Sequence, residues 1–455
     1  MTEVKKTNPL GVDKIDKLLI KFATPSVVAM VVNAVYNMVD QICIGRKVGT
    51  LGNSATNVAF PITTIAMAIA LTIGQGGASK QNLELGAGNR KKAEHAVGNI
   101  ITFSSVVSII VTLLSFIFLS PMLKFFGATK TVMPYALDYA SRVIWGMPAL
   151  IVGTSINNTI RADGSPMFSM LSMSVGAVVN TVLDIIFVFP LNMGMKGAAL
   201  ATIIGQYVVC FVSLSYVKKY KNLTITKKCL KLKASLCKTI CTLGVASGIN
   251  QLSMFIVQVV LNNSMKYYGA KSIYGSDIPI ACTGIVMKVN MLVMAIMIGI
   301  AQGTQPIVSF NYGAKKLDRV KKVYILAAKV ILMIGIVCFV VFQVFPDYII
   351  RIFGNGSKEY FEFSRKCMKI ILFMTLVNGL QPLTTIFFTS IGKAVKGAFI
   401  ALTRQIILLL PLVVILPKFM GIDGILYAAP IADFSAFLFV VGFIVYEFKL
   451  MNKKI

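Results

Sequence analysis

Charged residues punctuate this chain instead of alternating along it. Val97 to Met122 contains none, and neither does Val143 to Ile160. Such blocks outrun a soluble core helix and match the roughly 20 apolar residues that cross a bilayer's hydrocarbon core. Without water to satisfy backbone groups, each block is expected to be a helix. The pattern predicts twelve spans, at about 18–44, 54–79, 94–119, 135–157, 167–190, 197–217, 240–268, 278–304, 323–345, 367–390, 396–418 and 424–447. Residues 1–17 read as a short cytoplasmic lead-in, with the option of an amphipathic helix lying on the membrane. Their polar, basic character, without a small-residue cleavage site, argues against a cleavable signal peptide.

Composition agrees with the pattern. Hydrophobic residues make up 56% and charged residues 14%, against about 25% charged in ordinary soluble domains. The net charge of +28 invites a nucleic-acid reading, but its placement argues for orientation instead. Most Lys and Arg fall in the N-terminal segment, the even-to-odd connections and the C-terminal tail. A Lys/Arg excess marks the cytoplasmic side, so both termini are expected inside, in the plasma (inner) membrane, with anionic lipid as neighbour. The densest basic block, Lys218 to Lys238, sits at the midpoint and reads as a linker over 218–239.

Several chemistries drop out. One histidine, His95, leaves no histidine-based metal site. The eight cysteines are scattered, and the four-residue spacing of Cys237 and Cys241 is neither a redox nor a zinc spacing. No nucleotide-binding motif or nucleophile elbow appears, nor do the Tyr-Asp and Gly-x-Gly-Asp motifs of intramembrane aspartyl proteases. The chain reads as a non-enzyme without a cofactor.

One phrase is written twice. "GQGGASKQNLELGAGNRKKA" (Gly74–Ala93) and "AQGTQPIVSFNYGAKKLDRV" (Ala301–Val320) align at a shift of 227, which puts Gln75-Gly76 on Gln302-Gly303 and Gly86-Ala87 on Gly313-Ala314. The fold expected is therefore an all-α polytopic membrane protein of two pseudo-symmetric six-helix bundles, 18–217 and 240–447, with a tail at 448–455. Parallel repeats of this kind are common in transporters, with substrate between the halves. Glycines in the phrase allow close backbone approach or sharp turns.

The segments "PSVVAMVVNAVYNMVDQICIGRKVG", "QGGASKQNLELGAGNRKKA", "IRADGSP" and "VVNTVLDIIFVF" together resemble the multidrug and toxic compound extrusion family. Within it, the chain is most similar to bacterial members whose coupling site lies in the N-terminal half. The resemblance implies sodium- or proton-driven antiport of amphipathic, often cationic drugs, and nothing in the sequence demands more than a monomer. It also implies a cation site at Asp40, Asn180, Asp184 and Thr202, and a cavity near Tyr36, Asn37, Tyr139 and Asn157.

The polar residues point the same way on their own. Acids at membrane depth are functional candidates, and the N-terminal half has two well inside spans. At 1.5 Å per residue, Asp40 lies about 33 Å and Asp184 about 26 Å along outward-running helices. Asn180 shares a face with Asp184 four residues on, and Thr202 lies at similar depth. Such groups supply oxygen ligands to a small cation or carry protons. Plain alternatives remain open: helix-to-helix hydrogen bonding for Asn180 and Thr202, and an interfacial acid near Arg46 for Asp40. The second half has Ile407, Pro411 and Ala429 at the corresponding positions. There Asp433 is expected to pair with Lys288 or Arg404. Pro25 is either a mid-helix kink or an early-turn proline. Met173, Met254, Phe255, Met287 and Met291 are candidate cavity residues, since methionine suits varied apolar ligands. The rival function is a flippase for lipid-linked oligosaccharide, which needs a strongly cationic cavity.

Overall fold

Each apolar block satisfies its backbone as a helix, and helices with their connecting turns make up the described structure. This is a computed structural model, and it describes residues 8–48, 50–275, 277–353 and 357–453. Among the described residues twelve helical segments match the expected spans: ten are long and apolar enough to cross a membrane, an eleventh is a bent pair, and a broken helix over 133–162 is the twelfth. They are α1 Ile15–Val48, α2 Thr50–Gly86, α3 Arg90–Ile117, α4 (133–162), α5 Pro166–Val188, α6 Gly194–Ser215, α7 Ala234–Ala270, α8 Asp277–Gly313, α9 Leu317–Val344, α10 (358–390), α11 Ala394–Met420 and α12 Ile422–Asn452.

Three spans are irregular for visible reasons. α4 passes through a 3-10 turn at Ile144–Gly146, just before Pro148, which has no N–H to donate. α10 consists of Lys358–Ile371 and Thr375–Ser390, bent by 43°, and Gln343 Nε2 caps the freed Lys369 carbonyl at 2.8 Å. α11 contains a π segment, Thr403–Leu409, in which the Leu410 N–H reaches back to Gln405 O. The widened turn makes room for the ring of Pro411 against the preceding turn. Pro25 lies in the interior of α1, so the early-turn alternative does not hold.

The burial pattern is inverted relative to a soluble protein. On α3 the buried stripe is Ser104, Ser108, Thr112 and Ser115, while Ile109, Ile110, Leu113 and Ile117 are exposed. That suits lipid outside and helix-to-helix hydrogen bonds within. One apolar core lies within α7–α12 and recruits Leu18, Leu19 and Phe22 of α1. A second gathers Ile44, Ile62, Tyr139, Ile144 and Val188. α1 thus packs one end on each half.

Both ends of the described chain meet the α8–α9 connection. Leu10 O accepts from Asn311 Nδ2 at 2.9 Å, Gly11 O accepts from Lys316 Nζ at 2.8 Å, and Lys321 bonds Asn452 near the other terminus. This end of the bundle is the terminal side. Pro9–Gly11 is a 3-10 turn capped by Asn8, and helix begins only at Ile15, so an amphipathic helix over the lead-in is absent from residues 8–14. Residues 1–7 lie outside the described residues. At the other terminus α12 continues through the expected tail to Asn452.

The basic linker is fastened to the first half. Asp163 accepts from Lys221 N–H at 2.6 Å, Asn222 N–H at 3.1 Å and Tyr216 Oη at 2.9 Å. Asn99 receives the Lys233 N–H at 2.7 Å and donates to Cys229 O at 3.3 Å.

The two copies of the repeated phrase cross each other on the terminal side. A Cβ on Gly86 would strike Phe310 O, and a Cβ on Gly313 would strike Leu83 O. Since Leu83 and Phe310 are themselves equivalent at the 227-residue shift, the contact is reciprocal. Nearly three turns deeper, Gly76 meets Gly244 of α7 while Gly303 meets Ala23 of α1. Glycine at these four positions lets helices touch backbone to backbone. The turn within the phrase has diverged: Gly88 has φ +81° in the first copy, and Lys315 takes the same left-handed conformation in the second.

Candidate functional site

The N-terminal-half site begins with a glycine crossing. Gly176 of α5 and Gly205 of α6 face each other, with a Cβ on Gly205 coming to 2.9 Å from both Asn180 Cβ and Gly176 O. This close approach sets Asn180 against Thr202. With its nitrogen turned to Asp184, the Asn180 amide donates to Asp184 Oδ2 at 3.3 Å and accepts from the Thr202 N–H at 3.1 Å. Thr202 Oγ1 also donates to Ala198 O at 3.0 Å.

α1 packs on α5 and brings the second acid. The Asp40 and Asp184 carboxyls lie within hydrogen-bonding reach of each other. Asp184 is fully buried, and Oδ1 of each acid has no hydrogen-bond partner among the described residues. Neither acid is paired with a Lys or Arg among the described residues. Two carboxyls in contact repel when both are ionised, and a shared proton or a bound cation relieves that repulsion. The oxygen donors Asp40, Asp184, Asn180 and Thr202 suit a hard monovalent ion equally well. Tyr36, one turn before Asp40, and Tyr139 lie close to both acids.

In front of these carboxyls a cavity of ≈ 340 Å³ opens between the halves. Its wall includes Asn33, Tyr36, Asn157, Asn180 and Thr202 from the first half, and Asn250, Gln251, Gln302 and Thr385 from the second. Met30, Met67, Met173 and Met254 supply soft apolar surface. Asn157 is held by α5, accepting from Ser169 Oγ at 2.6 Å and donating to Ser169 O at 3.1 Å.

Other candidates lie elsewhere. Asn37 bonds Asn33 O at 2.7 Å, behind the wall that Asn33 forms. Tyr139 is part of the first-half core. Phe255 touches Phe60 and Phe126, with ring centroids at 6.4 and 6.3 Å, which joins the halves opposite the terminal side. Met287 packs on the second-half core, and Met291 is exposed outside the cavity wall. Asp433 pairs with Arg404 at 2.6 Å, buried, and not with Lys288.

The expected site left out Arg161. It sits in the last turn of α4, lines the cavity and is 6% exposed. Its Nη1 donates to Gln302 Oε1 of α8 at 2.5 Å and its Nη2 to Asn158 Oδ1 at 2.6 Å. It belongs to the quoted "IRADGSP" and lies four residues beyond the expected end of span four at 157, on a helix that continues to Ala162. Further polar bonds join the halves beside it: Gln305 Nε2 to Gln75 O and to Ser79 Oγ, both at 2.9 Å, and Ser247 Oγ to Gln75 Oε1 at 2.5 Å.

Comparison with known proteins adds three findings. The MatE family model matches residues 25–186 and 247–415, most of both halves. The multidrug export protein MepA of Staphylococcus haemolyticus (strain JCSC1435) is 24% identical over 434 residues, covering 95% of this chain and 94% of its own. Among solved structures, an outward-facing multidrug resistance MATE family transporter superposes with a TM-score of 0.91 at 21% identity, over 98% of this chain and 99% of its own. Another, described only as "protein A", is 34% identical over 97% of this chain and 98% of its own, with a TM-score of 0.89.

Proposed function

The chain belongs to the MatE family, and we propose that it is a multidrug exporter driven by sodium or proton antiport. The observation that carries the coupling is the contact between Asp40 and Asp184, backed by Asn180 and Thr202, directly behind a cavity shared by both halves. The MepA relative, similar along almost its whole length, supports drugs as the cargo.

With the basic connections on the cytoplasmic face, both termini lie inside and the glycine crossing becomes the cytoplasmic seam. Closure there, with the cavity above it, leads to the outward-facing state once the contact of Phe255 with Phe60 and Phe126 on the opposite side parts. A cation entering from outside settles between Asp40 and Asp184, and the α1–α5 packing it changes also forms the cavity wall through Tyr36 and Asn180. That coupling favours release of drug outward. When the seam parts, the cation leaves to the cytoplasm and the cavity loads again. The carrier exchanges ligands and breaks no covalent bond. A lipid-linked oligosaccharide flippase fits less well, because Arg161 is the one charged residue among the described cavity walls.

The test is ethidium efflux from reconstituted vesicles under separately imposed sodium and pH gradients. One gradient is expected to drive efflux in the wild type, naming the ion, and Asp40→Asn to lose it. Efflux that survives Asp40→Asn unchanged contradicts the coupling site. Absence of efflux under either gradient contradicts drug export.

A further inference from the structure

Arg161 has no carboxylate within ion-pairing distance among the described residues. The acid two residues on, Asp163, is committed to Tyr216 and the Lys221–Asn222 backbone. Neutral partners satisfy the guanidinium instead: Gln302 Oε1, Asn158 Oδ1 and, at 3.5 Å, Ser26 Oγ. Amides fill hydrogen bonds but leave the charge itself uncompensated, and a buried charge without a counter-ion is costly. Guanidinium recognises carboxylate, sulfonate and phosphate with paired donors, better than any single amide oxygen can.

The partners divide unequally. Asn158 is on α4 itself and travels with Arg161, whereas Gln302 belongs to α8 in the other half. When the halves separate on the terminal side, Arg161 loses Gln302 and faces an open cavity with free donors. When they meet, Gln302 returns to the same Nη1.

We propose that Arg161 is the anion-recognising residue of the cavity, and that among amphipathic substrates those carrying a carboxylate, sulfonate or phosphate are held more tightly than those without one. Gln302 is the competing partner that takes its place as the terminal side closes. The acids stand at the other end of the pathway. Asp184 lies 18 residues into α5, about 27 Å from the terminal-side start of that helix at 1.5 Å per residue, while Arg161 lies just before that start. A zwitterion is therefore held with its anionic group toward the terminal side, and discharge of the anion is tied to closure. This inference rests on the export reading and names the substrate class for it.

The experiment compares ciprofloxacin, a fluorescent zwitterion, with its ethyl ester, in which the carboxylate is capped. Binding to the purified protein in nanodiscs is followed by fluorescence anisotropy. The wild type is expected to prefer the acid by about tenfold, the scale of one charge-assisted hydrogen bond. Arg161→Gln brings the ratio near one, and Arg161→Lys restores part of it. Gln302→Leu, which removes the competitor without touching the charge, raises the ratio above the wild-type value. An acid-to-ester ratio that is the same in the wild type, Arg161→Gln and Gln302→Leu overturns the proposal while leaving drug binding intact. Binding of neither compound by the wild type overturns the export reading and the proposal with it.

Discussion

Asp184 and Asp433 are both buried acids, and their partners give them opposite roles. Asp433 holds Arg404 at 2.6 Å, so removing the acid strands a buried guanidinium. Asp433→Asn is expected to cost about 3–5 kcal/mol, read as a fall in the detergent melting temperature, and replacing both partners with apolar residues to recover most of it. Asp184 faces another acid, so Asp184→Asn should leave the melting temperature close to wild type. If sodium is the coupling ion, sodium raises the wild-type melting temperature by mass action and fails to raise that of Asp184→Asn. Equal sodium shifts in both contradict a sodium site there. Acids at membrane depth were legible in the sequence because so little else explains a carboxyl in an apolar run. Arg161 was not legible, since a helix end misplaced by five residues turned a buried residue into a loop residue. The Asp433 pairing stayed open between Lys288 and Arg404, because sequence alone gives depth and not helix rotation.

The helices of the seam depend on the absence of side chains. Gly86 and Gly313 touch the facing backbone at Phe310 and Leu83, so Gly86→Val or Gly313→Val forces the crossing apart. A cysteine at Ser79, in a background without the native cysteines, should then react several-fold faster with a maleimide applied from the terminal side. Gly442, with open space around it, is the control: Gly442→Ala should leave the rate unchanged. An unchanged rate in the valine variants means that the glycine contact does not hold the seam. The repeat announced these glycines, but it did not reveal that the two copies meet each other. Their pairing depends on how the halves dock. The bend in α10 and the π segment of α11 were likewise hidden, although Pro411 marks the second in hindsight.

At the scale of the molecule, two half-structures share one pathway. Arg161 and Gln305 donate hydrogen bonds across from one half to the other, Gln75 accepts from Gln305 and Ser247, and the cavity opens above that line. Export by alternating access requires these bonds to break and reform in every cycle. Ser79 Oγ and Gln305 Nε2 are 2.9 Å apart across the seam, which makes them the place to stop the motion. Cysteines at both positions, in a background free of the native ones, are joined with a short bifunctional thiol reagent that reduction removes, and ethidium efflux is recorded before, during and after. The account predicts that the joined protein exports nothing and that reduction restores efflux. Ion-driven efflux continuing at full rate with the bridge intact would contradict it.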